Sequence, residues 1–254
     1  MSEALVPTDL VQPPTPGTRD PALYEQLRQS RRLAVGVSIT CGAVGLLPVP
    51  LLPDLAITAL RSALLHRLAQ RREVELAYEA ARVVSGEERG SMAKRFAASM
   101  LSLRSPLLLS LRVVMRFEEV ARSFLLATYA DYYLLTIHQG ATVTAAQAAL
   151  LRDAVQQASS RAHMDVLSAL FQRAVSDAVR LGLVVPRRIW GLCMTLLNKG
   201  EEALEEEEEL SGQRFLSSVA GMVDRELELT MRETLDAVLD GFDYAWEAVA
   251  GEER

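Results

Sequence analysis

Residues 33–53 read LAVGVSITCGAVGLLPVPLLP, a stretch without a single charge. By length alone it has the signature of a membrane-crossing helix, which needs about 20 apolar residues to cover a hydrocarbon core of about 30 Å. Pro48, Pro50 and Pro53 forbid that simple reading, because each removes a backbone donor and its ring clashes with the preceding turn. The helix that enters the stretch is therefore expected to stop near Leu46 or Leu47. Its uncharged part is about 14 residues, or about 21 Å at a rise of 1.5 Å per residue, too short to span. After the prolines Asp54 offers an N-cap, and the chain returns as LAITALRSALLHRLAQRR, apolar at first and then basic. The expected unit is a proline-tipped helical hairpin.

Working outward, Arg28, Arg31 and Arg32 precede the stretch, and Arg61, Arg67, Arg71 and Arg72 follow it. Basic residues at both feet are what a re-entrant hairpin held from the cytoplasmic side would carry. Its lipid-contacting tip would comprise Val44, Leu46, Leu47, Pro48, Val49, Pro50, Leu51, Leu52, Pro53 and Asp54. Ser38 with Gly42, and Cys41 with Gly45, are spaced i, i+4 and give a small-residue strip against which a second helix packs closely. A rival reading places both arms in the core of a soluble helical protein. Arg61 weighs toward that rival, since it lies about two turns from the tip and is costly in lipid unless it snorkels or pairs. Membrane contact is the first expectation and the protein core the second.

The stretch GAVGLLPVPLLPDLAITALRSALLHRLAQRREVEL resembles the hairpin of a bacterial family of unknown function, often fused behind small Era-like GTPase domains or found in inner-membrane stress proteins. The matching pattern is Gly45, Pro48, Val49, Pro50 and Asp54, followed by Leu64, His66 and Leu68, within about residues 31–76. Here a third proline is present, and residues 1–254 carry no P-loop of a GTPase. The resemblance implies membrane association and a separately encoded GTPase as partner.

The chain has 254 residues, half of them hydrophobic, enough to bury a sizeable core and to exclude wholesale disorder. A mean hydropathy of +0.12 leaves room for one hydrophobic element and not for a bundle of spans. Residues 1–21 carry five prolines and read as an extended or disordered leader without a secretory signal. Beyond them period-2 alternation is nearly absent, so the class is all-α, a bundle of long helices. The first helix is expected from Pro21 and the second from Asp54 through Val84, so that 22–84 forms the hairpin. A helical body over 92–200 follows, with helices at 92–103, from Pro106 to His138, and from a Thr144/Gln147 capping box to Leu181. The third of these is given an apolar stripe of Val155, Val166, Leu170 and Val179. A short helix with Trp190 ends at Gly200. Residues 201–211 form an acidic linker, and 212–250 an amphipathic helix whose stripe includes Leu235, Val238, Phe242, Trp246 and Val249. That stripe is expected to pack on the protein's own body in preference to a coiled coil.

The net charge of −6 conceals a division: residues 1–200 hold 23 Lys+Arg against 16 Asp+Glu, and 201–254 hold 4 against 17. This argues against nucleic-acid binding through the C-terminal part, and it suits an anionic membrane surface or acidic partner for the body. Glu205, Glu206, Glu207, Glu208 and Glu209 form the candidate acidic surface for a basic partner or for the chain's own Arg-rich body; the blander reading is a solvated linker.

No P-loop and no GxGxxG after a strand is present, so the chain has no nucleotide site of those types. His66, His138 and His163 are isolated and are expected at the surface or its boundary. Cys41 and Cys193 have neither metal-ligand nor redox spacing. Glu118 and Glu119 lie near Arg112, Arg116 and Arg122 at helical spacing and read as surface ion pairs. Asp131, followed by Tyr132 and Tyr133 in a stretch otherwise without charge, is the candidate for a buried hydrogen-bonded carboxylate. No catalytic, metal or cofactor residue is assigned. The expectation is a non-enzymatic helical adaptor on the cytoplasmic face of a bacterial inner membrane; the alternative is a soluble, cytoplasmic protein-interaction module.

Overall fold

A computed structural model describes residues 19–44, 52–85, 108–180, 221 and 235–251. Its helices are α1 (Pro21–Val44), α2 (Leu52–Arg71), α3 (Tyr78–Val84), α4 (Leu108–Thr136), α5 (Ala145–Arg161), α6 (Met164–Arg180) and α7 (235–251). Two short strands, β1 (Glu75–Leu76) and β2 (Thr142–Val143), complete the described elements. The protein is all-α. The expected helices at 92–103 and around Trp190, and the acidic run 205–209, lie outside the described residues.

Two helices start where a side chain satisfies the first free amides. Asp20 caps α1, its carboxylate accepting from the Ala22 amide at 2.9 Å, and Pro21 follows at the first helical position. The capping box of α5 is present in full: Thr144 Oγ1 accepts from the Gln147 amide at 3.3 Å, and Gln147 Oε1 accepts from the Thr144 amide at 2.9 Å.

The continuous helix expected over 54–84 is broken. After Arg71 the Glu73 amide bonds Gln70 O and the Val74 amide bonds Ala69 O, with Glu73 at φ 56°. This pair of bonds is a Schellman stop, normally marked in sequence by glycine because only glycine is free of a Cβ penalty there. The chain then pairs β1 with β2 in parallel, Glu75 opposite Thr142 and Leu76 opposite Val143. Those strands are too short to show any alternation.

The helix expected over 144–181 also divides. Ala162 is extended at ψ 146°, and α6 begins anew at Met164. The break resets the helical phase, so the buried face becomes Leu167 and Phe171, while Val166, expected in the stripe, is 45% exposed.

α4 is the central member, touching α1, α2, α5 and α6. It buries Phe124, Leu125, Tyr129, Tyr132 and Tyr133, and the other helices close around it. The arms of the hairpin belong to this core. Val35, Ser38 and Cys41 of α1 and Leu64, Leu65 and Leu68 of α2 are all nearly inaccessible. α7 supplies Leu235, Leu239, Phe242 and Trp246, with Phe242 stacked on Tyr129 at 5.0 Å and Trp246 against Tyr133 at 5.1 Å. Burying side chains of this size contributes about 1.5–3 kcal/mol apiece before ordering costs. Among the described residues no helix is long and apolar enough to cross a membrane.

Candidate functional site

Among the described residues three arginine–carboxylate nodes each tie α4 to another segment. In the first, Arg61 of α2 donates to Glu119 at 2.6 Å and to Ser123 Oγ at 3.0 Å. Glu119 is thus an interhelical partner, whereas Glu118 makes the expected surface pair with Arg122. In the second, Arg72 donates through Nε and Nη2 to the two oxygens of Asp131, at 2.8 and 3.0 Å. The same Nη2 reaches Gln26 O at 3.0 Å and Ser30 Oγ at 3.1 Å on α1. The Asp131 side chain is 3% exposed, so it is the buried carboxylate anticipated from its apolar surroundings.

The third node joins the ends of the described chain. Arg19 lies ahead of the α1 cap, its side chain 1% exposed, and donates to Asp240 at 2.7 Å and to Asp243, both on α7. Its Nε lies 3.4 Å from Tyr132 Oη, and Tyr132 donates to Asp243 at 3.1 Å. Asp236 is 3.9 Å from the guanidinium and accepts from Tyr24 of α1.

Burial lowers the Arg19 affinity for its proton, but hydrogen bonds to Tyr132, Asp240 and Asp243 outweigh it and the net shift is upward. Asp243 also moves up: its burial outweighs the pull of Arg19 and Tyr132, and Asp240 adds repulsion. Burial likewise pushes the Tyr132 hydroxyl up to about 12, and carries Tyr129 and Tyr133 upward too.

The basic flank divides between interior and surface. Arg61 and Arg72 point into the nodes just described. Arg71 reaches Gln29 O at 3.3 Å, Arg28 pairs with Glu25 at 3.6 Å, and Arg32 is exposed, with Arg31 and Arg67 half-buried. The tip residues Val44 to Asp54 have no described side chains. His138, expected at the surface or its boundary, is instead buried at 6% exposure, with Nδ1 3.5 Å from Tyr133 Oη; the turn that ends α4 folds it back on the tyrosine. His66 is half-buried and His163 exposed.

Beside the Arg72 node, Leu27, Ser30, Ala34, Leu68, Thr128 and Asp131 line part of a cleft of about 20 Å³. That holds one water, which needs about 10–15 Å³, and falls far below the roughly 300 Å³ of a small-molecule site. Among the described residues no cluster of His, Cys, Asp and Glu is placed to hold a metal ion.

Sequence reading missed the Arg19 node. The available signal was the i, i+4, i+7 spacing of Asp236, Asp240 and Asp243, which sets three carboxylates beside the apolar stripe of α7. Arg19 itself sits within a proline-rich leader that gave no cue to burial. Comparison with protein-family models, with curated proteins and with solved structures finds no match for this chain.

Proposed function

We propose that this protein is a non-catalytic helical adaptor that works through protein–protein contacts, with its hairpin arms serving the fold. One observation carries the reading: Val35, Leu64 and Leu68, apolar side chains of the two hairpin arms, are buried in the core that closes around α4. Geometry adds to it. The basic feet and the tip lie at opposite ends of α1, about 18 Å apart along twelve residues of helix, so an upright hairpin offers them to one membrane surface only by inserting the arms. The separately encoded GTPase implied by the hairpin resemblance is the partner class to test first.

A second reading is favoured by the tip itself, VGLLPVPLLP at 44–53, which is wholly uncharged. In that reading the tip alone touches the cytoplasmic face of a bacterial inner membrane while the arms stay in the core. Two variants test them: the first asks whether the arms are core, as both readings require, and the second separates the readings at the tip. Val35→Asp should unfold the protein, seen as loss of far-UV circular dichroism. Val49→Asp with Leu51→Asp should leave it folded. If the tip variant stays folded but loses cosedimentation with anionic vesicles that the wild type shows, membrane docking replaces the adaptor reading. A pull-down with the wild type that recovers no GTPase in either nucleotide state removes that partner class.

A further inference from the structure

We infer that Arg19 is a latch that holds α7 on the body, so that α7 is the first unit of the fold to open, baring the aromatic face of α4. Only the use of that face for a partner rests on the adaptor reading; the latch stands on its own geometry.

The guanidinium touches two helices and belongs to neither. It contacts Tyr132 of α4 on one side and Asp240 and Asp243 of α7 on the other. The groups around it are Tyr24 of α1, Tyr132 of α4, and Asp236, Asp240 and Asp243 of α7. Three carboxylates on one helix face repel one another, and Arg19 offsets that repulsion, pairing with Asp240 and Asp243 and lying 3.9 Å from Asp236. Without it Asp243, whose side chain is 6% exposed, would remain as an uncompensated charge in the interface.

Because Arg19 precedes the Asp20 cap, it leaves its site without breaking any hydrogen bond of α1. The latch therefore releases while the rest of the helix stays intact. What α7 covers is a row of tyrosines: Tyr129 and Tyr132 meet Phe242 at 5.0 and 6.0 Å, and Tyr133 meets Trp246 at 5.1 Å. An apolar face of that kind on a helix receives an amphipathic helix, as it already does from α7.

Hydrogen exchange on the full chain tests the latch. Arg19→Ala should raise exchange across 235–251 by about tenfold or more while leaving 145–161 within about twofold of wild type, the mark of one unit opening locally. Arg19→Met with Asp243→Leu, an apolar pair in place of the ionic one, should return 235–251 to near its wild-type protection. An equal rise in both segments, no rise in either, no recovery in the double variant, or failure of Arg19→Ala to fold at all would each overturn the inference. These readouts need no partner, so failure of the GTPase pull-down leaves the latch standing.

Discussion

Replacing Arg72 by Met should remove a large share of the protein's stability. Four hydrogen bonds end with the guanidinium: two to Asp131 at 2.8 and 3.0 Å, one to Gln26 O at 3.0 Å and one to Ser30 Oγ at 3.1 Å. Methionine keeps most of the aliphatic stem, so the loss is electrostatic and not a cavity. Asp131, 3% exposed, is left without its counter-ion, and breaking a buried pair in this way costs about 3–5 kcal/mol. Total stabilities are about 5–15 kcal/mol, so about a fifth or more of the margin is at stake. For a chain of this size each kcal/mol moves the melting midpoint by about 2–4 °C, giving a fall of roughly 6–20 °C. Urea denaturation followed by far-UV circular dichroism gives the difference directly. Adding Asp131→Leu to the variant should recover nearly all of the loss, because two apolar groups of similar shape need no partner. High salt should not reproduce the single-variant effect, since a buried pair is little screened. A loss below about 1 kcal/mol for Arg72→Met would place the pair among exposed bridges and refute the reasoning.

Three further outcomes are expected. Glu73→Gly should raise stability by about 1 kcal/mol, since glycine takes the left-handed stop at φ 56° without a Cβ penalty; an unchanged urea midpoint would count against the strain. Thr144→Ala should cost about 1 kcal/mol through loss of the α5 cap, measurable by the same denaturation, and Thr144→Ser should cost less. Asp243 sets a pH dependence. Its affinity for a proton is raised in the folded chain, so the native state holds a proton that the unfolded state has already released; the corresponding stability is present at low pH and is lost as pH rises above about 3.9. The stability of wild type minus that of Asp243→Asn should therefore decline with rising pH over the acid range, and an increase would reverse the assignment.

Much of the architecture was legible because long periodic segments and side-chain caps leave local marks. The Thr144/Gln147 box, the buried face of α7 and the isolation of Asp131 are all written in short-range spacing. Both helix breaks were hidden for a common reason, in that neither uses glycine or proline. Glu73 takes the left-handed position and Ala162 the extended one, conformations for which neither residue type is a local marker. A helix continued across the second break carries the wrong phase into α6, turning Val166 inward where the structure buries Leu167. The hairpin posed a different difficulty. An uncharged Gly-containing arm looks the same in sequence whether lipid or α4 surrounds it, and the carboxylates that meet Arg61 and Arg72, Glu119 and Asp131, lie far along the chain. Arg19 was hidden most completely, since nothing local distinguishes a buried arginine from a solvated one.

The wall that α7 adds has a consequence for biosynthesis. Tyr132 and its partner Asp243 are 111 residues apart, so the tyrosine row of α4 emerges from the ribosome long before the helix that covers it. At synthesis rates of about 5–20 residues per second the delay is on the order of 10 s, far longer than helix formation or collapse. Throughout that interval the nascent chain presents an unsealed aromatic surface. The same rings that seat α7 in the finished protein are apolar surface left open in its half-made form, the kind that invites aggregation.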